Sequence, residues 1–507
     1  MFEWEKLFLI VSYVAVFAGL SLFGGHRLRV LWQYWRHRRN PHVPPRSFDA
    51  LPKVTVQLPL FNEFEVVADL MASVSRLDYP RELLQIQVLD DSTDDTVEEC
   101  QRCVEELQAR GFDVEYRHRT DRTGFKAGAL DAGMDSVTGE FICIFDADFR
   151  PESDYLQKMI HHFTDEKVGM VQARWGHANR NFSLLTRLQA LFLDGHLVLE
   201  QTARSRHGDF LNFNGTAGIW RRQAIEDGGG WQHDTLTEDL DLSYRTQLKG
   251  WKFVYLPDVV VPAELPPDMD GFKTQQHRWT KGSIQVCKKM LGEVWRSKEP
   301  LGRKLEATAH LTSNFAYLLT LGVLVLMYPA NFVMGNPWAK AVLVDLPVFF
   351  FACFSVILFY LTAQGAQTKW GWLKAIPFLP FLLALGVGMS INNGRAVLEA
   401  LFNQKSDFVR TPKYGVLTKA EAKNKPGRYK AGKSIGLWIE SILTLYFAFL
   451  LWMAVGRGQW GSIPFLMLFF GGFAYVAAGS LLKRFSMPSF APTDPPAPGS
   501  PDNVVAA

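Results

Sequence analysis

Apolar runs near both ends of the chain constrain its fold more than any other feature. The first covers residues 7–22, and residues 23–25 extend it to a length that can span a bilayer. The others begin beyond about residue 308 and cover residues 311–332, 342–363, 376–391, 435–455 and 464–482. The part between them, residues 51–264, has the pattern of a soluble α/β domain. The sequence therefore predicts a membrane protein that carries a soluble domain between its apolar segments.

Basic residues follow the first apolar run rather than precede it. Only Lys6 lies before the run. The arginines just after it are Arg27, Arg29, Arg36, Arg38 and Arg39. A cleaved signal peptide would carry its basic residues in front and a small-residue cleavage site behind, and neither pattern is evident. By the positive-inside rule this segment spans the membrane with its C-terminal end in the cytoplasm.

A long basic segment limits how many of the later runs can cross the membrane. Residues 395–433 are rich in Lys and Arg and should therefore be cytoplasmic. This requires an even number of spans between that segment and the soluble domain. Residues 376–391 form the shortest run and contain Pro377, Pro380, Gly386 and Gly388, so we expect them to be interfacial or re-entrant. About five spans, a cytoplasmic C-terminus and a disordered Pro/Ala-rich tail follow from this assignment.

Strand and helix patterns alternate in the soluble part. Strands are predicted at residues 54–60, 84–89, 114–117, 141–145 and 170–173, and helices at residues 63–76, 94–110, 124–135 and 183–204. This alternation predicts an α/β fold with a mainly parallel sheet, which binds ligands at the carboxyl ends of its strands.

Acidic residues follow two of the predicted strands. Asp146 and Asp148 come just after residues 141–145, and Asp90 and Asp91 directly follow residues 84–89. A pair with this spacing is a weak signal alone, because short Asp-x-Asp sequences are common in solvated turns. Carboxylates at such strand ends can hold a hard divalent cation beside a phosphate. We therefore expect Asp148, helped by Asp146, to hold Mg²⁺ or Mn²⁺, and Asp90 or Asp91 to bind a base or ribose.

Further polar residues would complete a nucleotide-binding site. Lys126, which follows Gly124, could neutralise phosphate charge with help from backbone N–H groups. Thr237 is a candidate N-cap for a helix that begins with Glu238 and Asp239, and these acids either decorate the helix start or provide a general base.

A basic amphipathic helix is predicted at residues 271–291. It is expected to lie on the bilayer surface, with an ordinary core-facing helix as the alternative. Gln275, Arg278 and Trp279 on it provide an amide, a cation and an aromatic face, which suit a diphosphate and a sugar.

Composition and motifs exclude several other classes of protein. The net charge of +3 gives no reason to expect a nucleic-acid partner. Five cysteines without regular spacing do not form a disulfide scaffold, and Cys100 and Cys103 fit a helix better than a zinc site. The sequence contains no nucleophile elbow, Walker A loop or Gly-x-Gly-x-x-Gly fingerprint.

Four motifs in order resemble those of processive family 2 glycosyltransferases, which include cellulose, chitin, hyaluronan and mannan synthases. They are Asp90-Asp91-Ser92, Asp146-Ala147-Asp148, Thr237-Glu238-Asp239 and Gln275-x-x-Arg278-Trp279. The resemblance covers roughly residues 50–485. Within this group the segments at residues 119–130, 172–177, 213–218 and 262–266 look most like the cellulose-synthase-like mannan and glucomannan synthases and their bacterial relatives.

The resemblance implies a GT-A fold and inverting transfer from a nucleotide sugar. It implies that Asp239, next to Glu238, is the base. It assigns nucleotide-sugar binding to Asp90, Asp91, Lys126, Asp146, Gln275, Arg278 and Trp279. It assigns acceptor binding to Phe213, Asn214, Gly215, Thr216 and Trp279, and leaves the metal with Asp148 and Asp146. Residues 408–413 are similar to the family's F-x-V-T-x-K gating loop, although Arg410 stands where the pattern has Val.

The expected layout combines these segments. A transmembrane helix at residues 1–26 is followed by a basic linker at 27–50 and a cytoplasmic GT-A domain at 51–268. An amphipathic interfacial region at 269–305 precedes a membrane and channel region at 306–485. That region includes an interfacial helix near 376–403 and a gating-type loop near 404–434, and residues 486–507 form the tail.

Three functions are compatible with this layout. The first is a processive synthase of a β-linked, β-1,4 polysaccharide at the plasma membrane, coupled to export. The second is a non-processive lipid glycosyltransferase, such as one that glucosylates diacylglycerol, and the third is a catalytically silent scaffold. The Gln-x-x-Arg-Trp motif favours the first, and the intact acidic motifs disfavour the third. The sequence does not decide between GDP-mannose and UDP-glucose as donor, or whether homo-oligomers or accessory export subunits form.

Overall fold

A computed structural model describes residues 3–333, 349–405, 410–411, 413–415, 418 and 436–486. Several predictions concern residues outside these ranges. They are the first part of the apolar run at 342–363, most of the gating-type loop and nearly all of the tail.

A seven-stranded sheet forms the centre of the soluble domain, with the strand order β3-β2-β1-β4-β6-β5-β7. The strands are β1 (Val54–Leu60), β2 (Leu84–Asp90), β3 (Asp113–His118), β4 (Phe141–Ile144), β5 (Val168–His177), β6 (Gly218–Arg221) and β7 (Lys252–Ala263). All pairs are parallel except those that β6 makes with β4 and β5. Every residue of β1, β2 and β4 is buried, as in strands covered by helices on both faces.

Helices cover the sheet and continue into the apolar segments. Those of the soluble part are α2 (Phe64–Val74), α3 (Thr96–Ala109), α4 (Phe125–Gly133), α5 (Tyr155–Ile160), α6 (Leu184–Asp194), α7 (Gln201–His207), α8 (Arg222–Asp227) and α9 (Glu238–Leu248). The others are α1 (Glu3–His37), α10 (Met269–Arg296), α11 (Leu301–Thr312), α12 (Ala316–Val333), α13 (Ser355–Gln367), α14 (Gly371–Ala375), α15 (Leu379–Gly388), α16 (Ser390–Leu401), α17 (Gly436–Gly456) and α18 (Ile463–Ser486).

One local prediction needs correction, and a second is confirmed in position only. The helix expected at residues 183–204 is divided, because a π-helical segment, Gly195–Glu200, separates α6 from α7. A Cβ at Gly195 would lie 2.5 Å from the ring of Phe359, so close packing against α13 accompanies this change of helical geometry. Thr237 does occupy the N-cap position of α9, but its side chain makes no capping hydrogen bond.

Five of the described helical segments are long and apolar enough to cross a membrane. They are Glu3–His37, Leu301–Leu326, Gly371–Leu401, Gly436–Gly456 and Ile463–Leu482. The third includes the run that the sequence predicted to be interfacial, although a 3-10 turn at Ile376–Phe378 interrupts it. The chain is a multi-pass membrane protein. Close helix contacts support this region, since a Cβ at Gly388 of α15 would lie 2.4 Å from the Gly472 oxygen of α18.

Helix α10 joins the soluble domain to the membrane helices. Its Lys273 pairs with Glu440 of α17 at 2.7 Å, and its Lys281 pairs with Glu399 of α16 at 3.1 Å. Both lysines are buried. These contacts favour the alternative in which this basic helix packs against protein, and they fix its position beside the carboxyl ends of the strands.

Candidate active site

A cavity of about 180 Å³ lies at the carboxyl ends of the strands, between the sheet and α10. The predicted site residues that line it are Asp91, Lys126, Asp146, Asp148, Asn214, Gly215, Glu238, Asp239, Gln275, Arg278 and Trp279. The structure therefore brings together residues that the sequence distributes over almost 190 positions.

Three predicted site residues lie behind the cavity wall. Asp90 is fully buried and accepts hydrogen bonds from the Ser92 N–H at 2.9 Å and the Tyr116 hydroxyl at 2.7 Å. Phe213 is also fully buried, with its ring centroid 5.5 Å from that of Trp220. The Thr216 hydroxyl accepts a hydrogen bond of 2.8 Å from the Asp146 N–H and so orients that residue. At these positions the three residues can support the side chains that line the cavity. Their direct contacts with a ligand remain predictions.

Asp91 lies on the wall at the end of β2. The Arg119 guanidinium donates two hydrogen bonds to its carboxylate, at 2.7 and 2.6 Å. Such a bidentate pair fixes the plane of the carboxylate. Arg119 therefore determines which way Asp91 faces the cavity.

Asp146 and Asp148 face the same cavity, although β4 ends at Ile144. The Lys126 ammonium lies 2.5 Å from the Asp146 carboxylate and donates to the Gly215 oxygen at 2.8 Å. Burial alone would raise the pKa of Asp146, but Lys126 and Lys413 lower it below its ordinary value. Asp148 accepts the Glu264 N–H at 3.0 Å and contacts the Lys413 ammonium. Each carboxylate of the motif therefore faces a lysine.

A glycine turn places Lys126. Gly124, immediately before α4, has a φ of 75°, which favours glycine. Gly128 approaches the turn so closely that a Cβ there would lie 2.1 Å from the Thr123 oxygen. The compact start of α4 directs the first helical turn, with Lys126, towards Asp146.

Asp239, in the first turn of α9, is a carboxylate of the cavity with a strongly raised proton affinity. Burial raises its pKa to about 7, and the neighbouring Glu238 adds to this shift. Its Oδ1 accepts the Leu240 N–H at 2.8 Å. A Cβ at Gly215, where φ is +81°, would lie 2.9 Å from Asp239 Oδ2, so the loop containing Asn214 and Gly215 meets this carboxylate directly. A carboxyl group with this pKa can take up a proton near neutral pH.

Gln275, Arg278 and Trp279 form the opposite wall. Their spacing places them on one face of α10, as expected for residues three and four positions apart. The ring centroid of Trp279 lies 6.3 Å from that of Trp175. This wall thus presents a cation and an aromatic surface opposite the acidic strand ends.

Sequence reasoning missed Glu63 and Glu264, which enclose the side of the cavity near Asp148 together with Lys413 of the gating-type loop. The Glu264 carboxylate accepts the N–H groups of Tyr414 and Gly415 at 3.2 and 2.9 Å. Lys413 pairs with Glu63 at 3.3 Å in addition to Asp148. The available signal for Glu264 was its place in the segment 262–266, which carries part of the family resemblance. Nothing in the neighbouring sequence indicated that it contacts residues 413–415. Burial and the adjacent Asp148 raise the pKa of Glu264 to about 7.

The donor set around Asp146 and Asp148 fits a hard divalent cation that is completed by its substrate. Among the described residues no group of three His, Cys, Asp or Glu side chains is arranged to hold a metal ion. Mg²⁺ and similar ions at phosphate-transfer sites commonly use one or two carboxylates together with substrate phosphates and water. The two carboxylates at the end of β4 are compatible with that arrangement.

Comparison with known proteins agrees with this fold. The model of the family described as glycosyl transferase family group 2 matches residues 141–389. A mannosyltransferase from Pyrobaculum calidifontis, solved with GDP-mannose and Mn²⁺, superposes with a TM-score of 0.54 and 21% identity. That match covers 78% of this chain and all of the mannosyltransferase chain. At this identity the match is evidence for a shared fold and not for a shared activity. The soluble domain has the GT-A type of fold.

The chain belongs to the family 2 glycosyltransferases and is a hexosyltransferase. It is 34% identical over 456 residues to glucomannan 4-beta-mannosyltransferase 1 of Oryza sativa subsp. japonica, which covers 86% of this chain and 84% of that protein. Another rice protein, probable glucomannan 4-beta-mannosyltransferase 2, is 34% identical over 80% of this chain and 70% of its own length. The resemblance to the cellulose-synthase-like mannan and glucomannan synthases is confirmed.

Proposed function

We propose that this protein is a processive β-glycan synthase that extends a β-1,4-linked polysaccharide with mannose from GDP-mannose. The observation that carries the proposal is the cavity in which the strand-end carboxylates, Asp239 and the wall of Gln275, Arg278 and Trp279 face one another. The names of the rice relatives support mannose and the 1,4 linkage. UDP-glucose is the second donor to test, because glucomannan contains both sugars.

The donor would bind along the carboxyl ends of β1, β2 and β4. Asp91 would receive the nucleoside, while Lys126 and Arg278 would face the diphosphate. These two cations reach the cavity from different helices, α4 and α10. Cations arranged in this way stabilise the negative charge that develops on the leaving diphosphate.

Asp239 would act as the general base. It takes the proton from the acceptor hydroxyl while the hydroxyl oxygen forms a bond to C1 of the donor sugar. The bond between C1 and the diphosphate breaks at the same centre, and the nucleoside diphosphate leaves with the electron pair, which inverts C1. The raised pKa of Asp239 suits this role, because a carboxylate with a pKa of about 7 is a stronger base than an ordinary one.

A divalent cation would be held by Asp148, with Asp146 beside it. When bound, it supplies charge neutralisation at the diphosphate. In the structure the Lys413 ammonium contacts Asp148, so residues 413–415 would shift when the donor complex forms. We expect Asp148→Ala to remove both the Mn²⁺ dependence of donor binding and transfer activity. A fully active Asp148→Ala protein would contradict this assignment.

The acceptor would enter past Asn214, Gly215 and Trp279. An aromatic ring beside a loop that touches the base offers a surface on which a sugar can stack. Helix α10, which forms this wall, is joined to the membrane helices by the ion pairs of Lys273 and Lys281. A product that leaves along α10 would therefore have a short route to the membrane helices. We propose that the domain faces the cytoplasm at the plasma membrane and that elongation is coupled to export.

The decisive test compares products as well as turnover. Membranes containing the protein are incubated with Mn²⁺ and labelled GDP-mannose, UDP-glucose or both, and the products are digested with linkage-specific hydrolases. We expect a polymer that a β-1,4-mannan or glucomannan hydrolase degrades, and none with Asp239→Asn as the matched inactive control. A labelled glycolipid carrying a single sugar would instead support the lipid glycosyltransferase, which the relatives do not favour.

A further inference from the structure

A second cavity, of about 580 Å³, lies between the soluble domain and the membrane helices, away from the active site. One wall consists of α6 and the loop before it, and the other consists of the end of α13 together with α14. Three of its lining side chains are cationic, namely Arg180, Arg187 and Lys374, and none of the lining residues is acidic. The cavity is therefore built to receive negative charge.

The three cations differ in how far the protein compensates them. Arg180 pairs with Asp194 at 3.0 Å and donates to the Gln364 side chain at 2.7 Å, so its charge is largely balanced. Arg187 donates to the neutral Asn181 amide at 2.9 Å, and its guanidinium lies 5.0 Å from the Phe378 ring centroid. Lys374 donates its backbone N–H to the Trp370 oxygen, and its side chain has no ion pair or hydrogen bond with any part of the chain that the structure describes. Two positive charges at this cavity thus lack a carboxylate partner among those residues.

Part of the cavity wall is apolar. Leu191, Ala375 and Phe378 line it beside the cations. A free inorganic anion would gain nothing from these side chains, whereas a ligand with a charged group and an attached hydrocarbon would contact both kinds of surface. The lining therefore matches an amphipathic anion better than a small hydrophilic one.

The cavity lies at the level where a membrane meets the soluble domain. Gln364 and Gln367, near the end of α13, bond to Asp194 and Arg174 of the soluble domain. Immediately beyond them, Trp370 and Trp372 are 56% and 42% exposed, at the start of the candidate span Gly371–Leu401. Exposed tryptophans and cations in such positions are typical of the headgroup layer of a bilayer.

We propose that this cavity binds the phosphodiester headgroup of an anionic membrane lipid, with Arg187 and Lys374 facing the phosphate and the apolar wall facing the first part of the acyl chains. A bound lipid would bridge α6 and α14. It would thereby link the lipid composition of the membrane to the packing of the soluble domain. This site is separate from the sugar-transfer site and does not depend on the proposed function.

Lipid binding can be measured on the purified full-length protein in a neutral detergent. Phosphatidylglycerol or phosphatidylcholine is titrated, and bound lipid is counted by native mass spectrometry. We expect preferential retention of phosphatidylglycerol and an affinity at least about tenfold weaker in the double variant Arg187→Gln/Lys374→Gln, as two charges near a membrane surface would give. Lys374→Gln alone, at an exposed position, should show part of this loss without any change in folding.

The matched control is Lys369→Gln, which removes a cation from the loop just before α14 but not from the cavity lining. It should retain the affinity of the unmodified protein. An equal loss in the Lys369→Gln protein, or equal retention of the two lipids, would refute the site. Inorganic phosphate is titrated in parallel, and displacement of the lipid by phosphate at similar concentration would assign the cavity to a free anion and overturn the lipid proposal.

Discussion

Buried carboxylates in two regions of the molecule are compensated very differently. At the junction with the membrane helices, Glu306 is 1% exposed and is contacted by His26 at 2.8 Å, by Arg204 at 3.4 Å and by Arg29. Asp194 is equally buried and pairs with His177 and Arg180, both at 3.0 Å. Burial would raise the pKa of Asp194, but these partners hold it well below its ordinary value.

In the active-site cavity the balance is reversed at Asp239. Burial and Glu238 outweigh Lys126 there, so the pKa of Asp239 rises to about 7. A carboxylate surrounded by cations stays charged and holds helices together, whereas one that lacks such compensation can exchange a proton. The comparison teaches that the degree of compensation, rather than burial, distinguishes a structural acid from a reactive one in this chain.

The largest effect should follow from Asp239→Asn. We expect transfer to fall by about 10²- to 10⁴-fold, the usual contribution of a general base, with donor binding largely retained. The unfolding temperature at pH 8 should stay the same or rise, because the change removes a buried negative charge beside Glu238. Single-turnover transfer, donor titration and thermal unfolding measure the three quantities. Loss of donor binding would instead make Asp239 a structural residue.

The converse change is Glu306→Ala at the junction. Removal of one partner from a buried charge network leaves its cations uncompensated, and we expect a loss of about 3 kcal/mol in unfolding free energy. The matched control is Glu106→Ala, which breaks the exposed pair with Arg102 and should cost at most about 1 kcal/mol. Denaturation in detergent would report both values, and equal losses would show that compensation at the junction has no structural role.

The pH dependence of transfer should show that Asp239, unlike the compensated carboxylates, exchanges a proton near neutral pH. Asp239 acts as a base only when deprotonated, so kcat/KM should fall about tenfold per pH unit below about pH 7. Glu264 also has its pKa raised to about 7 and could produce a similar limb. Glu264→Gln separates the two groups, because it should preserve the acid limb if Asp239 is responsible. Disappearance of the limb in that variant would transfer the titration to Glu264.

The sequence predicted a strand or a site residue well where neighbouring residues alone carried the pattern. Strands β1 and β2 were predicted to within one residue, because Val, Ile and Leu make up most of each, and β2 ends at an acid. Strand β6 was missed because only Ile219 and Trp220 of its four residues are apolar, whereas the equally short β4 is apolar throughout. Strand β7 was missed because Pro257 and Pro262 interrupt its pattern. The acids at the ends of β2 and β4 were predictable because they come just after these apolar segments.

Long-range contacts in the site were not predictable. Glu264 and Tyr414 are 150 residues apart, and neither has a neighbouring pattern that indicates the other. The placement of Asp90 behind the wall depends on Tyr116 of the adjacent strand, which no motif includes. Residue types for chemistry could therefore be read from the chain, whereas the partners that tune or hold them required the fold.

The smallest expected effect concerns Lys413. It tests whether the ion pairs of this lysine are permanent, like those of Glu306, or are displaced when a metal ion binds. It contacts Asp148 and Glu63 from a short segment rather than from a packed helix. If a metal ion must displace it, Lys413→Met should lower the half-saturating Mn²⁺ concentration for donor binding by about fivefold, the equivalent of about 1 kcal/mol. The control Lys158→Met, in an exposed pair with Asp154, should have no effect. A higher Mn²⁺ requirement in Lys413→Met would mean that the lysine assists the donor complex, because removing a competitor of the metal can only strengthen metal binding.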